Sequence, residues 1–193
     1  THRIAGLGAH LYPEPDVKAP PAARLPAPAR LAVGETVTGR GLPGGFAQVP
    51  GGFVPAARLL PLAGRAADWV AEAEAFLGAP YLWGGRSADG IDCSAILQLA
   101  LAAAGLACPR DSDMQEKALG HPLPEGAPLA RGDLVFWRGH IGIMRDRTTL
   151  LHANAHHMAV AAEPLAEAEA RIATGGGGPV TARKRIDPGR FSA

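Results

Sequence analysis

APYLWGGRSADGIDCS, residues 79–94, is the stretch around which the rest of the chain is organised. It is glycine-rich and loop-like, and it runs directly into Ala95–Leu106, an apolar segment that reads as a buried helix. Asp92 stands at the junction as the expected N-cap, because its side chain can accept hydrogen bonds from the unpaired amides of the first turn. Cys93 then falls in that first turn, where the partial positive charge of a helix end lowers a thiol pKa. A lone buried cysteine is more often structural than reactive. The rest of the chain has to supply the reason to read this one as a nucleophile.

On the C-terminal side, Ile96, Leu97, Ala100, Leu101 and Ala104 make the helix apolar nearly all round, and Gly105 is its stop signal. PRDSDMQ, residues 109–115, reads as a polar loop or helix start with Asp111 or Ser112 as cap. Pro122, Pro124 and Pro128 mark an irregular connection. From Gly132 the period changes to that of strands: DLVFW (133–137), HIGIM (140–144), TLLHA (149–153) and MAVAA (158–162), with VTARKRI (180–186) as the last. Arg131-Gly132-Asp133, directly before a strand, reads as a turn rather than an integrin motif. Alternation puts His140, Gly142 and Met144 on one face, and His152 shares a face with Leu150. If these two strands are antiparallel neighbours across the Asp146–Thr148 turn, the two imidazoles lie side by side.

On the N-terminal side, AADWVAEAEAFL (66–77) has the apolar spacing of an amphipathic helix, with Gly78 as its stop. A domain boundary is expected at 62–65, dividing the chain into 1–63 and 64–193. Residues 1–62 carry short alternating pieces between Pro- and Gly-rich turns, the pattern of a small all-β barrel. The chain has 25 glycines and 18 prolines, well above the usual share of roughly 12 per cent, which argues for many turns and against a helical bundle. A net charge of +1 gives no electrostatic footprint for nucleic acid. No apolar run approaches the roughly 18 residues of a membrane span. Cys93 and Cys108 are too far apart along a helix to bridge, and two free thiols suit a reducing compartment.

A thiol nucleophile needs a base within reach and a third group to orient that base. Cys93, His140 and His152 supply the three on a helix start and two strands, the logic of papain-like sites. PYLWGGRSADGIDCS, followed by GDLVFW, HIGIM and LHA, resembles the NlpC-type peptidoglycan peptidases, a papain-like family, from about Ala66 to Ile186. Ala95 departs from the family's usual Gly. GGFVPAARLLPL and HLYPEPD resemble a bacterial SH3-like domain, with Phe53 where Trp or Tyr is commoner. The fold class expected is therefore α+β, a papain-like NlpC-type domain preceded by a small all-β SH3-like barrel.

The resemblance implies a cysteine peptidase without cofactor or metal. Cys93 would be the nucleophile, His140 the base, His152 the orienting residue, and Tyr81 would join the Cys93 amide in holding the oxyanion. With the SH3-like piece and PRDSDMQ, it implies the subgroup that cuts stem peptides between γ-D-glutamate and a diamino acid, with a free N-terminal L-alanine. Asp92, Ser94, Arg110, Asp111 and Ser112 would line the pocket for L-Ala-γ-D-Glu, with Trp83 as a wall or as core. The expected partner is thus a peptidoglycan stem peptide, not nucleic acid, and cytoplasmic recycling suits a chain with no visible leader, or a cell-wall location if a leader was removed. Two rivals stand beside this reading: a non-catalytic muropeptide-binding protein, and a metal site built from Cys93, His152, His156 and His157. The segment HANAH lacks the Glu that a zinc peptidase carries next to its first His.

Overall fold

In a computed structural model that describes residues 1–187, the chain forms two compact units. One comprises Thr1–Arg65 with Ser87–Asp89, the other Ala66–Arg86 with the chain from Gly90. The first is all-β apart from a single 3-10 turn at Ala56–Arg58. Its strands are His2–Ile4 (β1), Ala9–Leu11 (β2), Ala23–Leu25 (β3), Arg30–Leu31 (β4), Thr36–Gly39 (β5), Leu42–Val49 (β6), Gly52–Pro55 (β7) and Leu59–Pro61 (β8). They pair antiparallel as β4-β1-β8, β2-β3 and β5-β6-β7. Ile4, Phe46 and Val54 are fully buried at its centre, and the Tyr12 ring meets Phe46 edge-on at 5.7 Å.

The second unit begins with a helix shorter than its periodicity suggests, Trp69–Glu74 (α1) rather than 66–77. The Asp68 side chain accepts from the amides of Val70 and Ala71 and so starts the helix there. Two short strands, Arg86–Ser87 (β9) and Gly90–Ile91 (β10), flank the turn that precedes the central helix, Cys93–Ala103 (α2). That helix ends in a Schellman motif: Leu106 N–H donates to Leu101 C=O and Gly105 N–H to Ala102 C=O, with Gly105 at φ +77°. Ser112–Ala118 (α3) follows after the polar loop.

The sheet contains His121–Pro122 (β11), Leu134–Trp137 (β12), His140–Met144 (β13), Thr149–Asn154 (β14), Ala159–Pro164 (β15) and Ala182–Arg185 (β16). Its order is β11-β16-β12-β13-β14-β15, antiparallel throughout. Between β15 and β16 runs a helix that the sequence reading passed over, Leu165–Thr174 (α4). Helix α2 packs on β13 and β14, and α4 packs on β14 and β15. Val135, Trp137, Met144 and Leu150 are buried with Ala168 of α4, and Leu165 and Ile172 close over them. Burying a Leu or Met side chain fully is worth about 1.5–3 kcal/mol. That packing makes the central strands a rigid carrier for the two histidines at 140 and 152. Among the described residues no helix is long and apolar enough to cross a membrane.

Candidate active site

The N-terminus of α2 opens on a cleft of about 240 Å³ in the second unit. Seven residues expected from the sequence line it: Trp83, Asp92, Cys93, Ser94, Arg110, Asp111 and Ser112, joined by Gly84 and Gly139. Trp83 is 79% exposed, which removes the core-packing reading and leaves it as a wall of the cleft.

Asp92 is the anchor of this wall. Its Oδ1 accepts from the Ala95 amide at 2.8 Å and from Ser94 Oγ at 3.1 Å, and its Oδ2 accepts from the Gly84 amide at 2.9 Å. Arg110 adds Nη1 at 3.0 Å and Nη2 at 2.5 Å, and Nη1 also donates to Ser94 Oγ at 2.7 Å. Burial pushes the Asp92 carboxyl up, but Arg110 and the amides of Ala95 and Gly84 outweigh it and hold the group below the usual carboxylate range. A carboxylate offers about four lone-pair sites. Asp92 is therefore saturated within the protein, and the acid of the cleft whose side chain makes no cap hydrogen bond is Asp111, at the N-cap position of α3. Gln115, fully buried, donates to the carbonyls of Ser94 and Pro109 at 2.9 Å and ties α3 to the start of α2.

Cys93 is 7% exposed and is not in a disulfide; Cys108 is likewise a free thiol. Burial pushes the Cys93 thiol up to about 11, and the charge on Asp92 acts in the same direction. The N–H groups of Ile141, Ser94 and Cys93 itself favour the thiolate but do not prevail. The lowering expected from the helix end is thus outweighed by desolvation, and the resting form is the thiol. The Ile141 contact sets the sulfur against the residue that follows His140 on β13.

His140 and His152 come together as the alternation implies. Strand β13 pairs antiparallel with β14 in the register Ile143 to Leu151 and Met144 to Leu150. The diagonal brings His140 Nε2 to 2.8 Å from His152 Nδ1, with ring centroids 5.1 Å apart. Burial lowers His140 to about 3, helped by His152 and Arg171 and opposed by Glu163. Burial likewise lowers His152 to about 4 against the pull of Glu163. Both rings are neutral at pH 7, so His140 can take a proton. Tyr81 is half-buried, and its phenol is raised by burial and then by charge on Cys93 and Asp92.

Sequence reasoning missed Glu163 and Arg171. Glu163 Oε1 lies 2.6 Å from His152 Nε2, and Arg171 of α4 pairs with the same oxygen. The signal present in the sequence was a single acid in the apolar alternation of β15, on the face it shares with His152. Of the metal-site residues considered, only His152 and His157 fall in a cluster, with Glu163, whose donor atoms lie within 4.8 Å of one another; Cys93 and His156 lie outside it. There His152 Nε2 and Glu163 Oε1 are 2.6 Å apart, at hydrogen-bonding distance from each other.

Residues 78–171 match the NlpC/P60 family, and this part of the chain has an α+β fold. The chain is 37% identical over 99 residues to the gamma-D-glutamyl-L-lysine dipeptidyl-peptidase of Bacillus subtilis, covering 47% of this chain and 32% of that protein. It is 34% identical over 87 residues to dipeptidyl-peptidase 6 of Lysinibacillus sphaericus, covering 44% and 31%. The matches thus span about a third of the length of these curated relatives. An NlpC/P60 family protein of Bacillus cereus shares the fold at a TM-score of 0.67 and 21% identity, over 96% of this chain and 62% of that one. The peptidoglycan hydrolase RipB of Mycobacterium tuberculosis aligns at a TM-score of 0.50 and 27% identity, over 62% and 63%.

Proposed function

We propose that the NlpC/P60 domain of this chain is a cysteine peptidase that hydrolyses the bond between γ-D-glutamate and a diamino acid in peptidoglycan stem peptides. The observation that carries the reading is Cys93 at a capped helix start, set against β13, whose first residue, His140, is hydrogen-bonded to His152. The names of the Bacillus and Lysinibacillus relatives support the substrate class. We further read the all-β N-terminal unit as an SH3-like domain.

In this mechanism Cys93 Sγ attacks the γ-carbonyl carbon of D-glutamate while His140 accepts the thiol proton. A sulfur–carbon bond forms, and negative charge develops on the carbonyl oxygen. The amides at the start of α2 and the Tyr81 phenol receive that oxygen, a contribution of roughly 3 kcal/mol for one donor. The carbon–nitrogen bond then breaks as His140 returns its proton to the leaving amine of the diamino acid. Water hydrolyses the thioester, with His140 as base, and regenerates the thiol. Because thiol and imidazole both rest neutral, attack and proton transfer are coupled, and the two charges appear together.

Arg110, held by Asp92 and Ser94, gives the cleft a fixed cation suited to the α-carboxylate of D-glutamate. Asp111 supplies an uncommitted carboxylate for the free amine of L-alanine, with Ser112 beside it. Asp92 serves by positioning Arg110 rather than by meeting substrate.

Incubation with L-Ala-γ-D-Glu-diaminopimelate and with its N-acetylated form tests the reading. Release of free diaminopimelate from the first and not from the second is expected. Equal cleavage of both removes the requirement for a free amine, and cleavage of neither removes the peptidase assignment.

A further inference from the structure

Behind His152 stands a pair of residues that fixes where the protons of the two imidazoles lie. Glu163 on β15 faces Leu150 in the β14–β15 register, two residues along the strand from the Ala161–His152 pair and so on the same face. Its Oε1 is 2.6 Å from Nε2 of His152, which is fully buried. Burial opposes ionisation of Glu163, but the hydrogen bonds from Arg171 and His152 prevail and hold its pKa low. An ionised carboxylate can only accept, so the proton in that contact belongs to His152 Nε2. A neutral imidazole carries one N–H, and His152 Nδ1 is therefore a bare lone pair. His140 Nε2, 2.8 Å from that lone pair, must be the donor. Its own Nδ1 is then the unprotonated nitrogen of the ring.

We propose that Glu163, held in place by Arg171, is a positioning residue that selects the Nε2–H form of both histidines and so leaves His140 Nδ1 as the base for the Cys93 thiol. The catalytic purpose rests on the peptidase reading above; the proton assignment does not. When the thiol proton moves to His140 Nδ1, the new cation donates through Nε2 to His152. His152 remains a neutral relay, with its other N–H on the Glu163 carboxylate. Arg171 balances Glu163, so the relay as a whole carries no net charge before the reaction. No proton needs to pass from His152 to Glu163, and none is assigned.

Histidine ring ¹⁵N–¹H correlation spectra at neutral pH read the tautomers directly. In the wild-type protein both His140 and His152 are expected as Nε2–H forms. An Nδ1–H form at either ring overturns the proposal, whether or not any variant folds. Glu163→Gln is the second arm, because its amide can donate to His152 Nε2 and favour the opposite tautomer. Both rings are then expected to switch to Nδ1–H. The kcat on the stem peptide is expected to fall roughly 100-fold with KM within about twofold, and Glu163→Asp to recover about a tenth or more of the wild-type kcat. A Glu163→Gln protein that melts like wild type but keeps the original tautomers, or keeps its kcat, also overturns it. If the wild type cleaves no stem peptide yet shows Nε2–H at both rings, the peptidase reading fails and the proton assignment stands.

Discussion

Asp92 and Arg110 meet in a two-point ion pair, Oδ1 to Nη1 at 3.0 Å and Oδ2 to Nη2 at 2.5 Å, one residue ahead of the cleft cysteine. The same carboxylate caps α2 through the Ala95 amide. A single side chain thus starts the helix that carries Cys93 and fixes the cation that lines the cleft. Helix start and pocket are one structural element.

Asp92→Ala removes the cap and strands the guanidinium together. The cap alone is worth about 1 kcal/mol, and a hydrogen bond to a charged group about 1.5 kcal/mol or more, so a loss of about 2–3 kcal/mol is expected in urea unfolding. The pH dependence has a definite sign. The folded pKa of Asp92 lies below its unfolded value, so its contribution is complete above the unfolded pKa of about 3.9 and is lost as pH falls through the folded value. The wild-type advantage should therefore be full at pH 7 and shrink in strong acid. A difference under about 0.5 kcal/mol at pH 7 contradicts the dual role.

Much of this site was legible because it is local. Asp92 before Cys93, the apolar run after it and the alternation of HIGIM and TLLHA are properties of neighbouring residues, and periodicity reads neighbours. The diagonal His140–His152 contact followed from a short turn between two strands. What stayed hidden depends on residues distant in sequence or on desolvation. Arg171 reaches Glu163 only because α4 lies over β15, and nothing near either residue encodes that. The thiol pKa went the other way because exposure is a property of the fold, and burial outweighed the helix end. That Asp92 is held by Arg110 stayed hidden for the same reason, because the two are 18 residues apart.

Cys93 should behave as a buried neutral thiol in the free protein. With its pKa raised to about 11, the thiolate is a small fraction at pH 7 and grows roughly tenfold for each pH unit up to that value. Iodoacetamide labelling of the native protein, followed by mass spectrometry on the Cys93 peptide, is expected to accelerate continuously from pH 6 to pH 10. A rate that is already flat across that range instead identifies a preformed thiolate–imidazolium pair. Cys93→Ala is expected to abolish hydrolysis with little change in melting temperature.

Burial is the main reason both histidines are deprotonated, and the charge of Arg171 adds to it while Glu163 acts in the opposite direction. In the proposed mechanism His140 acts as base and needs the neutral ring, so activity is expected to fall as pH drops through its pKa. A folded value of about 3 leaves the wild type active well into the acid range. Arg171→Met removes a cation, raises both imidazoles towards their ordinary value of about 6.5 and moves the acid limb of kcat/KM to higher pH. The variant should lose more activity at pH 5 than at pH 7.5. Equal losses at the two pH values indicate that Arg171 acts only through packing.

Gly142 sits on β13 between His140 and Met144, and a Cβ built there would lie 2.5 Å from Leu150 Cδ1 and 2.8 Å from its Cγ. Leu150 cannot retreat, because it is fully buried against Val135, Trp137 and Met144. Gly142→Ala must therefore press β13 away from β14, and the 2.8 Å His140–His152 contact depends on that spacing. Overpacking of this kind costs about 1–3 kcal/mol. A displacement of about 1 Å at the reacting groups can cost roughly 100-fold in rate, so kcat/KM is expected to fall by that order. Leu150→Ala alone leaves a cavity and costs about 2–5 kcal/mol. In the double variant the new methyl occupies part of that cavity, so the combined stability loss should be smaller than the sum of the single losses by about 1 kcal/mol or more. Additive losses in urea unfolding mean that the two side chains do not compete for one space, and that the strand spacing at the histidines is set elsewhere.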